Sequence, residues 1–329
     1  MPQATAKRTV FETGTSSCNT RDPTLITFLA RRMIHNTIAM VSLIVLVFIM
    51  SRLTGDPAAL YLPEDATADQ LAAFRAQHGL DEPVWIQFLN YMGGIAHLDF
   101  GVSLRRGMPV MDIVFEALPW TLRLAGITIF LAMLVALSIG PIAAYRPGSS
   151  LDRVVNVLSL AAASTPDFWI ALVGILVFSL SLGWLPTSGV GGLPYWILPI
   201  AVLMLKITGT TTQVVRGSMI STLAMPFIKG ARAKGVQEQR IVFAHALRNS
   251  AISAITVAGD QARGLINGAV VVESVFGWPG VGKLLVDSVA QRDFAVVQAT
   301  VLVTATCIFL LNAVLDVCYA LLDPRIRLD

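Results

Sequence analysis

Six long apolar runs recur along the chain, and each is long enough to cross a membrane as a helix. The hydrocarbon core of a bilayer is about 30 Å thick, so a spanning helix needs roughly 20 predominantly apolar residues. The pattern therefore predicts an all-α integral membrane protein with about six transmembrane helices. The runs cover residues 33–53, 120–145, 154–182, 195–215, 251–272 and 295–322.

Lys and Arg are distributed unevenly between these runs. Fifteen of them fall in segments on one side of the predicted membrane and six in segments on the other. Because cytoplasmic loops carry an excess of Lys and Arg, this distribution places both termini in the cytoplasm. The fifteen lie in 1–32, 146–153, 216–248 and 325–327, and the six lie in 52–118 and 274–294.

The segment between the first two runs, residues 54–118, has the pattern of a folded insert. Thr67 and Gln70 match a capping box, and Gly79 is placed to end the helix that they begin, so a helix is predicted at 67–78. A second helix with an apolar stripe follows. These stripes either pack the insert onto the membrane domain or contact a soluble partner. The second stripe consists of Trp85, Phe88, Leu89 and Met92.

The composition agrees with a membrane protein. Charged residues make up 14% of the chain, against about 25% in soluble domains, and the mean hydropathy is +0.69. A net charge of +3 does not indicate nucleic-acid binding. The three cysteines, at these spacings, form neither a disulfide framework nor a zinc site. The predicted segments are a disordered cytoplasmic tail (1–30), a first transmembrane helix (31–53), a helical extracytoplasmic insert (54–118), a transmembrane core (119–322) and a cytoplasmic tail (323–329).

The predicted cytoplasmic loop at 216–250 is long for a mere connection. Its pattern indicates a short helix with small alanine faces and a basic edge, which Gly235 can end by adopting a positive φ. Such a helix can sit in another protein's cleft, or the loop can lie on lipid headgroups. The residues singled out here are Ala231, Arg232, Ala233, Lys234 and Gly235, with His245 and Arg248 in the helix that follows.

Three blocks resemble the permease subunits of binding-protein-dependent ABC importers, in the branch that imports dipeptides, oligopeptides or nickel. The first resembles the cytoplasmic "EAA" loop of these permeases and comprises RGSM at 216–219, ARAKG at 231–235 and HALRN at 245–249. The second is VVVESVFGWPGVG at 270–282, and the third is DVCYALLDPR at 316–325. The resemblance covers nearly the whole chain.

The resemblance implies a type I ABC importer permease fold that moves solute by alternating access and has no catalytic residues or cofactor of its own. It implies three kinds of partner besides membrane lipid: a second homologous permease, two cytoplasmic ATPases that bind ATP and Mg²⁺, and an extracytoplasmic solute-binding protein. The implied location is the bacterial cytoplasmic membrane. Residues 231–235, His245 and Arg248 would couple to the ATPases. The implied extracytoplasmic turn consists of Glu273, Trp278, Pro279, Gly280 and Gly282.

Three positions depart from the family pattern. An acidic residue is expected where Ser221 stands, another where Pro226 stands, and a proline where Ser253 stands. The departures leave the loop recognisable but affect its detailed contacts and the start of the fifth span. The expected solute is a di- or oligopeptide, with a nickel complex as the alternative.

Charged residues inside spans are costly and are functional hypotheses by default. Asp260 and Arg263 are three residues apart on one helical face, where they either neutralise each other or line a solute path. Asp167 follows a proline that can kink the helix toward a cavity, so it is a third candidate for this path. Arg123 and Lys206 are expected to snorkel from positions near span ends, and no role is assigned to them.

Three other functions are weighed against the permease. Residues 277–284 match the start of a phosphate-binding loop, but Leu284 replaces the Ser or Thr that would ligate Mg²⁺, so a tight turn at the membrane surface is favoured. An intramembrane protease is disfavoured because the sequence contains neither the H-E-x-x-H motif nor the paired-aspartate motif of such enzymes. An ion-coupled secondary carrier remains as an alternative, in which Asp260 and Arg263 could form a relay.

Overall fold

The computed structural model describes residues 25–53, 58, 62, 66–77 and 79–322. The predicted tail at 323–329 and residues 1–24 of the predicted tail at 1–30 lie outside this part of the chain. The first helix begins at Leu25, inside the predicted tail, because residues 25–30 (LITFLA) continue its apolar sequence.

The helices, numbered in chain order, are α1 (Leu25–Leu53), α2 (Ala68–Gln77), α3 (Val84–Ala96), α4 (Val110–Tyr145), α5 (Ser150–Ser164), α6 (Asp167–Gly174), α7 (Pro194–Leu223), α8 (Pro226–Ala233), α9 (Glu238–Arg240), α10 (Leu247–Val275), α11 (Val281–Ala290) and α12 (Phe294–Leu322). Two π-helical segments extend this set. One, Ile175–Ser181, continues α6, and the other, Ile241–Ala246, joins α9 to α10.

The number of spans agrees with the prediction of about six. In the described part of the chain, five helices are long and apolar enough to cross a membrane, and the pair α5–α6 makes a sixth if it counts as one span. That pair covers the predicted third span, 154–182, but bends through 101°. Pro166 lacks the N–H that a continuous helix would use. Ser164 and Thr165 donate their hydroxyls to the carbonyls four residues earlier, at 2.8 and 2.7 Å.

The second span begins ten residues before the predicted apolar run. Helix α4 starts at Val110, so residues 110–118, predicted as the end of the insert, form its first turns. The predicted span at 120–145 did not include these turns because the charged residues Asp112 and Glu116, which lie on their exposed face, interrupt the apolar pattern. The opposite face is buried against α11 and α12 through Val110, Ile113, Val114 and Ala117.

The fifth span is continuous with the helix that precedes it. Residues 238–275 run without a break through α9, the π-helical segment and α10. Ser253, at the position where proline was expected, lies inside α10 and keeps the backbone N–H that a proline would lack.

Helices α4, α7 and α10 form the centre of the bundle, and α5 crosses α7. The α5–α7 crossing depends on Gly209, because a Cβ at that position would lie 2.5 Å from the carbonyl oxygen of Ser159. Small residues at crossings of membrane helices let the backbones approach this closely.

The insert folds as predicted at its first helix. The N–H of Gln70 donates to Thr67 Oγ1 at 3.3 Å, and the N–H of Thr67 donates to Gln70 Oε1 at 2.9 Å, so the capping box is confirmed. Gly79 follows the helix with φ +62°, a conformation that favours glycine.

The apolar stripe of α3 divides between two environments. The Phe88 ring packs against Phe48 of α1 with centroids 5.2 Å apart, and Tyr91 stacks on Phe48 at 5.7 Å. Trp85 and Leu89 remain 64% and 59% exposed. Part of the stripe therefore packs on the membrane domain, as the first of the two interpretations expected, and part is left on the surface.

The bundle has two ends. The end beside residues 66–109 also carries the connections at 183–193 and 276–280, and is called the insert end. The opposite end carries residues 146–149 and 224–237, and is called the loop end.

Cysteine labelling tests the predicted orientation of these two ends. The native cysteines are replaced by alanine, and single cysteines are introduced at Ala72, Thr187 and Gln237, all of which are exposed. With the charge distribution described above, an impermeant thiol reagent added to intact cells should label positions 72 and 187 but not 237. Position 237 should react once the membrane is permeabilised. Labelling of 237 in intact cells would reverse the topology.

Candidate functional site

A buried carboxylate joins three helices at the insert end. Glu273, in the last turn of α10, is fully buried, and its Oε1 accepts a hydrogen bond from Thr121 Oγ1 of α4 at 2.5 Å. Its Oε2 accepts the N–H groups of Gly282 and Lys283 at 2.7 and 3.2 Å. Val281 donates its N–H to Thr121 Oγ1 at 2.9 Å. These contacts use the first three N–H groups of α11, whose partial positive charge stabilises the anion.

The glycines of the predicted turn are needed because the backbone approaches this carboxylate closely. A Cβ at Gly280 would overlap the Glu273 carboxylate and Thr121 Oγ1. A Cβ at Gly282 would lie 2.5 Å from the Cα of Val270. The same contacts rule out a phosphate-binding loop at 277–284, because its N–H groups are already bound within the chain.

Three tryptophans pack beside the carboxylate. Trp278 is fully buried and contacts Trp120 and Trp196 edge to face, with centroids 5.5 and 4.5 Å apart. Its Nε1 donates to the carbonyl of Trp120 at 3.4 Å. Pro279 is half-buried between Trp278 and Gly280. The predicted turn is thus a packed junction of α4, α7 and α10.

Helix α8 at the loop end is anchored by one side chain. Ile228 is fully buried in an apolar cluster, and Ala231 packs against the same cluster. Gly235 has φ +76° and ends the turn after α8, as predicted. Arg232 forms two hydrogen bonds with Glu238, at 2.8 and 3.3 Å, which tie α8 to α9. The cluster around Ile228 consists of Ala144, Val215, Met219, Ile241, Val242, Ala246 and Ala254.

The outer side of this loop is exposed, and we call it the loop face. It presents Ala233 beside three aromatic or apolar side chains and a set of basic ones. Of the predicted loop residues, Ala231 is half-buried against the cluster around Ile228, and the others are exposed, as are His245 and Arg248 in the helix that follows. The loop face consists of Met225, Phe227, Lys229, Arg232, Ala233, Lys234, Phe243, His245 and Arg248.

An ion pair links α5 to α7 near the loop end. Asp152 is 3% exposed, and its Oδ2 accepts from Arg216 Nη2 at 2.9 Å and from the N–H of Gly148 at 2.8 Å. Arg216 Nε also donates to Asp152 Oδ1. The sequence signal for Arg216 was its place in the first block, but Asp152, 64 residues away, carried no signal that paired the two.

Several charged and polar side chains of α6, α7 and α10 lie near the middle of the bundle. Asp260 and Arg263 lie near the middle of α10, with Asp260 Oδ1 3.8 Å from Arg263 Nη1, and Asp260 is 79% exposed. The neighbouring Gln261 donates to Thr210 Oγ1 of α7 at 2.8 Å. Asp167, at the start of α6, has a buried Oδ1 that accepts no hydrogen bond. The structure thus joins Asp260 and Arg263, while Asp167 lies on a different helix.

The position predicted for one charged residue of this region was wrong. Lys206 was expected near a span end, but it is close to the middle of α7, about 18 Å along the axis from Pro194 at 1.5 Å per residue. It is exposed. Its charge within the apolar run at 195–215 was the sequence signal, but its distance from both ends of that run was overlooked.

Comparisons with known proteins cover the same regions. Residues 136–328 match the family described as "Binding-protein-dependent transport system inner membrane component". Residues 25–125 match the N-terminal region of the membrane component of such systems.

Relatives match nearly the whole chain. The oligopeptide transport system permease protein AppB of Bacillus subtilis is 36% identical over 313 residues, which are 91% of this chain and 99% of the relative. The glutathione transport system permease protein GsiC of Escherichia coli is 38% identical over 291 residues, 88% of this chain and 95% of the relative.

A solved structure shares the fold. The chain resembles the MetNI methionine ABC transporter in an inward-facing conformation, with a TM-score of 0.56 at 16% identity, over 65% of this chain and 97% of that one. The likeness concerns the fold, which is that of ABC importer permeases, as the sequence predicted.

The network around Glu273 predicts a difference between two threonines on α4. Thr121→Val should leave Glu273 Oε1 and the Val281 N–H without a partner, at about 1–3 kcal/mol for each buried group, and should lower the melting temperature in detergent. Thr121→Ser keeps the hydroxyl and should be milder. Melting can be followed by fluorescence of the tryptophan cluster.

Thr128→Val is the matched control. Thr128 is fully buried two turns further along α4, and its hydroxyl makes no hydrogen bond. The same substitution should therefore be nearly neutral there. Equal losses at both positions would show that the Glu273 network contributes nothing specific to stability.

Proposed function

We propose that this chain, which belongs to the family of inner membrane components of binding-protein-dependent transport systems, is the permease subunit of an ATP-driven peptide importer. The observation that carries the proposal is the end-to-end match to permeases named for oligopeptide and glutathione transport. Glutathione is itself a tripeptide, so the two names describe one class of solute.

The loop face supports a role in coupling. It combines a small side chain, Ala233, with exposed Phe227 and Phe243 and a basic edge, which suits insertion into a cleft of another protein. Two ATPase subunits that bind ATP and Mg²⁺ would dock here, on the cytoplasmic side, where both termini also lie. A second homologous permease would complete the membrane part, and a solute-binding protein would deliver peptide to the insert end.

The connections of the loop explain how its motion could reach the bundle. Ile228 seats α8 in a cluster that includes residues of α4, α7 and α10, so α8 cannot move without displacing these helices. The Asp152–Arg216 pair extends the connection to α5. Closure of the ATPases would thereby reorient the central helices, which is the alternating-access mechanism.

The mid-bundle charges support a solute path along α10 and α6. Asp260 is exposed in the single chain although it lies near the middle of a spanning helix, so in the membrane it needs water, solute or a second subunit beside it. A path between two permease chains supplies all three. We assign Asp167, Asp260 and Arg263 to its lining.

Reconstitution tests the proposed function. The complex of this chain with a second permease, two ATPases and a binding protein from the same source is placed in liposomes, and uptake of labelled trialanine is measured. Uptake should require ATP and should be competed by dipeptides and glutathione but not by a nickel–histidine complex. Nickel uptake without peptide uptake, or peptide uptake without ATPases, would exclude a peptide importer of this class.

Ala233→Trp tests the docking role of the loop face in the same assay. The indole should not fit a cleft that accepts a methyl group, so peptide-stimulated ATP hydrolysis and uptake should both fall about tenfold or more while the chain still inserts. Ala73→Trp places the same bulk on an exposed position of α2 and should leave coupling unchanged. Wild-type coupling in Ala233→Trp would place the ATPase contact elsewhere.

A double-mutant cycle tests the path at Asp260 and Arg263. Each alanine variant removes half of the ion pair and should lower the amount of folded protein, whereas the double variant should restore it. If the pair lines the path, the restored protein should still transport peptides poorly or with altered preference. Full recovery of uptake and selectivity would mean that the pair is only structural. The half-buried pair Lys283 and Asp287 on α11 provides a control double variant that should not change selectivity.

A further inference from the structure

Lys206 stands out among the cations of the described bundle because of its position. It lies near the middle of α7 and is exposed in the single chain, so its ammonium group cannot reach either membrane surface along the helix as a residue at a span end can. A cation placed this deep needs an aqueous cavity or an anionic partner.

The neighbours of Lys206 are the residues of the proposed path. It lies on α7, against which α6 packs, and α6 begins with Asp167. One turn further along α7, Thr210 donates its hydroxyl to the carbonyl of Lys206 at 3.0 Å and accepts the side-chain N–H of Gln261. Gln261 is next to Asp260. Lys206 is thereby placed within about one helical turn, 5.4 Å, of the level of the Asp260–Arg263 pair.

The four charges suit a zwitterionic solute. Asp260 and Arg263 already face each other on α10, at a distance of 3.8 Å. Lys206 and Asp167 add a cation and an anion on α7 and α6, and no direct hydrogen bond joins them among the described residues, so both keep capacity for a ligand. A peptide carries one α-carboxylate and one α-ammonium group.

We propose that Lys206 is a specificity-determining residue of the transport path, where its ammonium group binds the α-carboxylate of the peptide. This inference rests on the proposed peptide import and adds to it the residue that recognises the carboxylate. It also changes the role of Lys206 from a snorkelling side chain to a ligand.

Chemical rescue tests the proposal. Lys206→Cys is made in a parent chain whose native cysteines are replaced by alanine, and the complete complex is assayed in liposomes with labelled trialanine. Uptake should fall about tenfold or more, as expected for the loss of a charge-assisted hydrogen bond. A reagent that attaches an aminoethyl group should restore most of the uptake because it replaces the charge, whereas one that attaches a neutral methyl group should not. Saturating trialanine should slow the reaction of the thiol several-fold.

Arg123→Cys is the matched control. Arg123 is the cation of α4 near the insert end, where it lies over the Trp120 ring at 5.9 Å, outside the cluster of charges. Its loss should leave uptake within about twofold, and trialanine should not protect the thiol, because no peptide group binds there.

The outcomes separate this inference from the proposed function. Failure of the parent complex to take up trialanine would refute peptide import and this assignment together. Normal uptake by an abundant Lys206→Cys protein, or equal rescue by both reagents, would refute the assignment alone. Charge-dependent rescue without protection by trialanine would also refute it, because the charge would then serve a contact with the second permease.

Discussion

The hydrocarbon core accepts polypeptide only where the chain satisfies its own backbone hydrogen bonds, and this constraint explains the form of the bundle. The bend between α5 and α6 shows how the constraint is met where a helix breaks. Pro166 removes one donor, and the hydroxyls of Ser164 and Thr165 bond to carbonyls of the preceding turn. The π-helical segment that follows keeps the remaining backbone paired within the helix. Because the break is compensated in this way, α6 can leave the axis of α5 and bring Asp167 against α7.

A buried polar network joins three helices at the insert end, and a buried apolar cluster anchors α8 at the loop end. Glu273 is buried with its oxygens bonded to Thr121 and to the start of α11, so removal of any partner leaves charge or dipole uncompensated. At the loop end, Ile228 is closely packed among aliphatic side chains of several helices, so a displacement of α8 moves those helices as well. The insert end is therefore suited to remain rigid, and the loop end to transmit displacement.

The sequence predicted most of the helices, because apolar runs of about 20 residues have few alternatives to a membrane span. It also predicted the features that depend on near neighbours, such as the Thr67–Gln70 capping box and the turn at Gly235. The bend at Pro166 was expected only as a kink, since its size depends on how α6 packs. The contacts between Thr121 and Glu273 could not be predicted, because they join residues 152 positions apart that carry no shared local pattern. Lys206 was recognised as a charge within a span but was expected to snorkel from near its end, whereas it lies near the middle of α7.

The placement of the mid-bundle charges bears on where solute could pass. A charge that faces lipid near the bilayer centre costs about 2.5–3.5 kcal/mol on insertion scales, so Asp260 and Lys206 would together cost several kcal/mol if the chain were a monomer in lipid. The free energy of unfolding of a folded domain is typically only about 5–15 kcal/mol, so this cost would be a large part of its stability. Both residues are exposed in the single chain, so the bundle does not cover them itself. A second permease that encloses water between the two chains removes this cost, and the surface that needs such a partner is then the same surface that lines the proposed path.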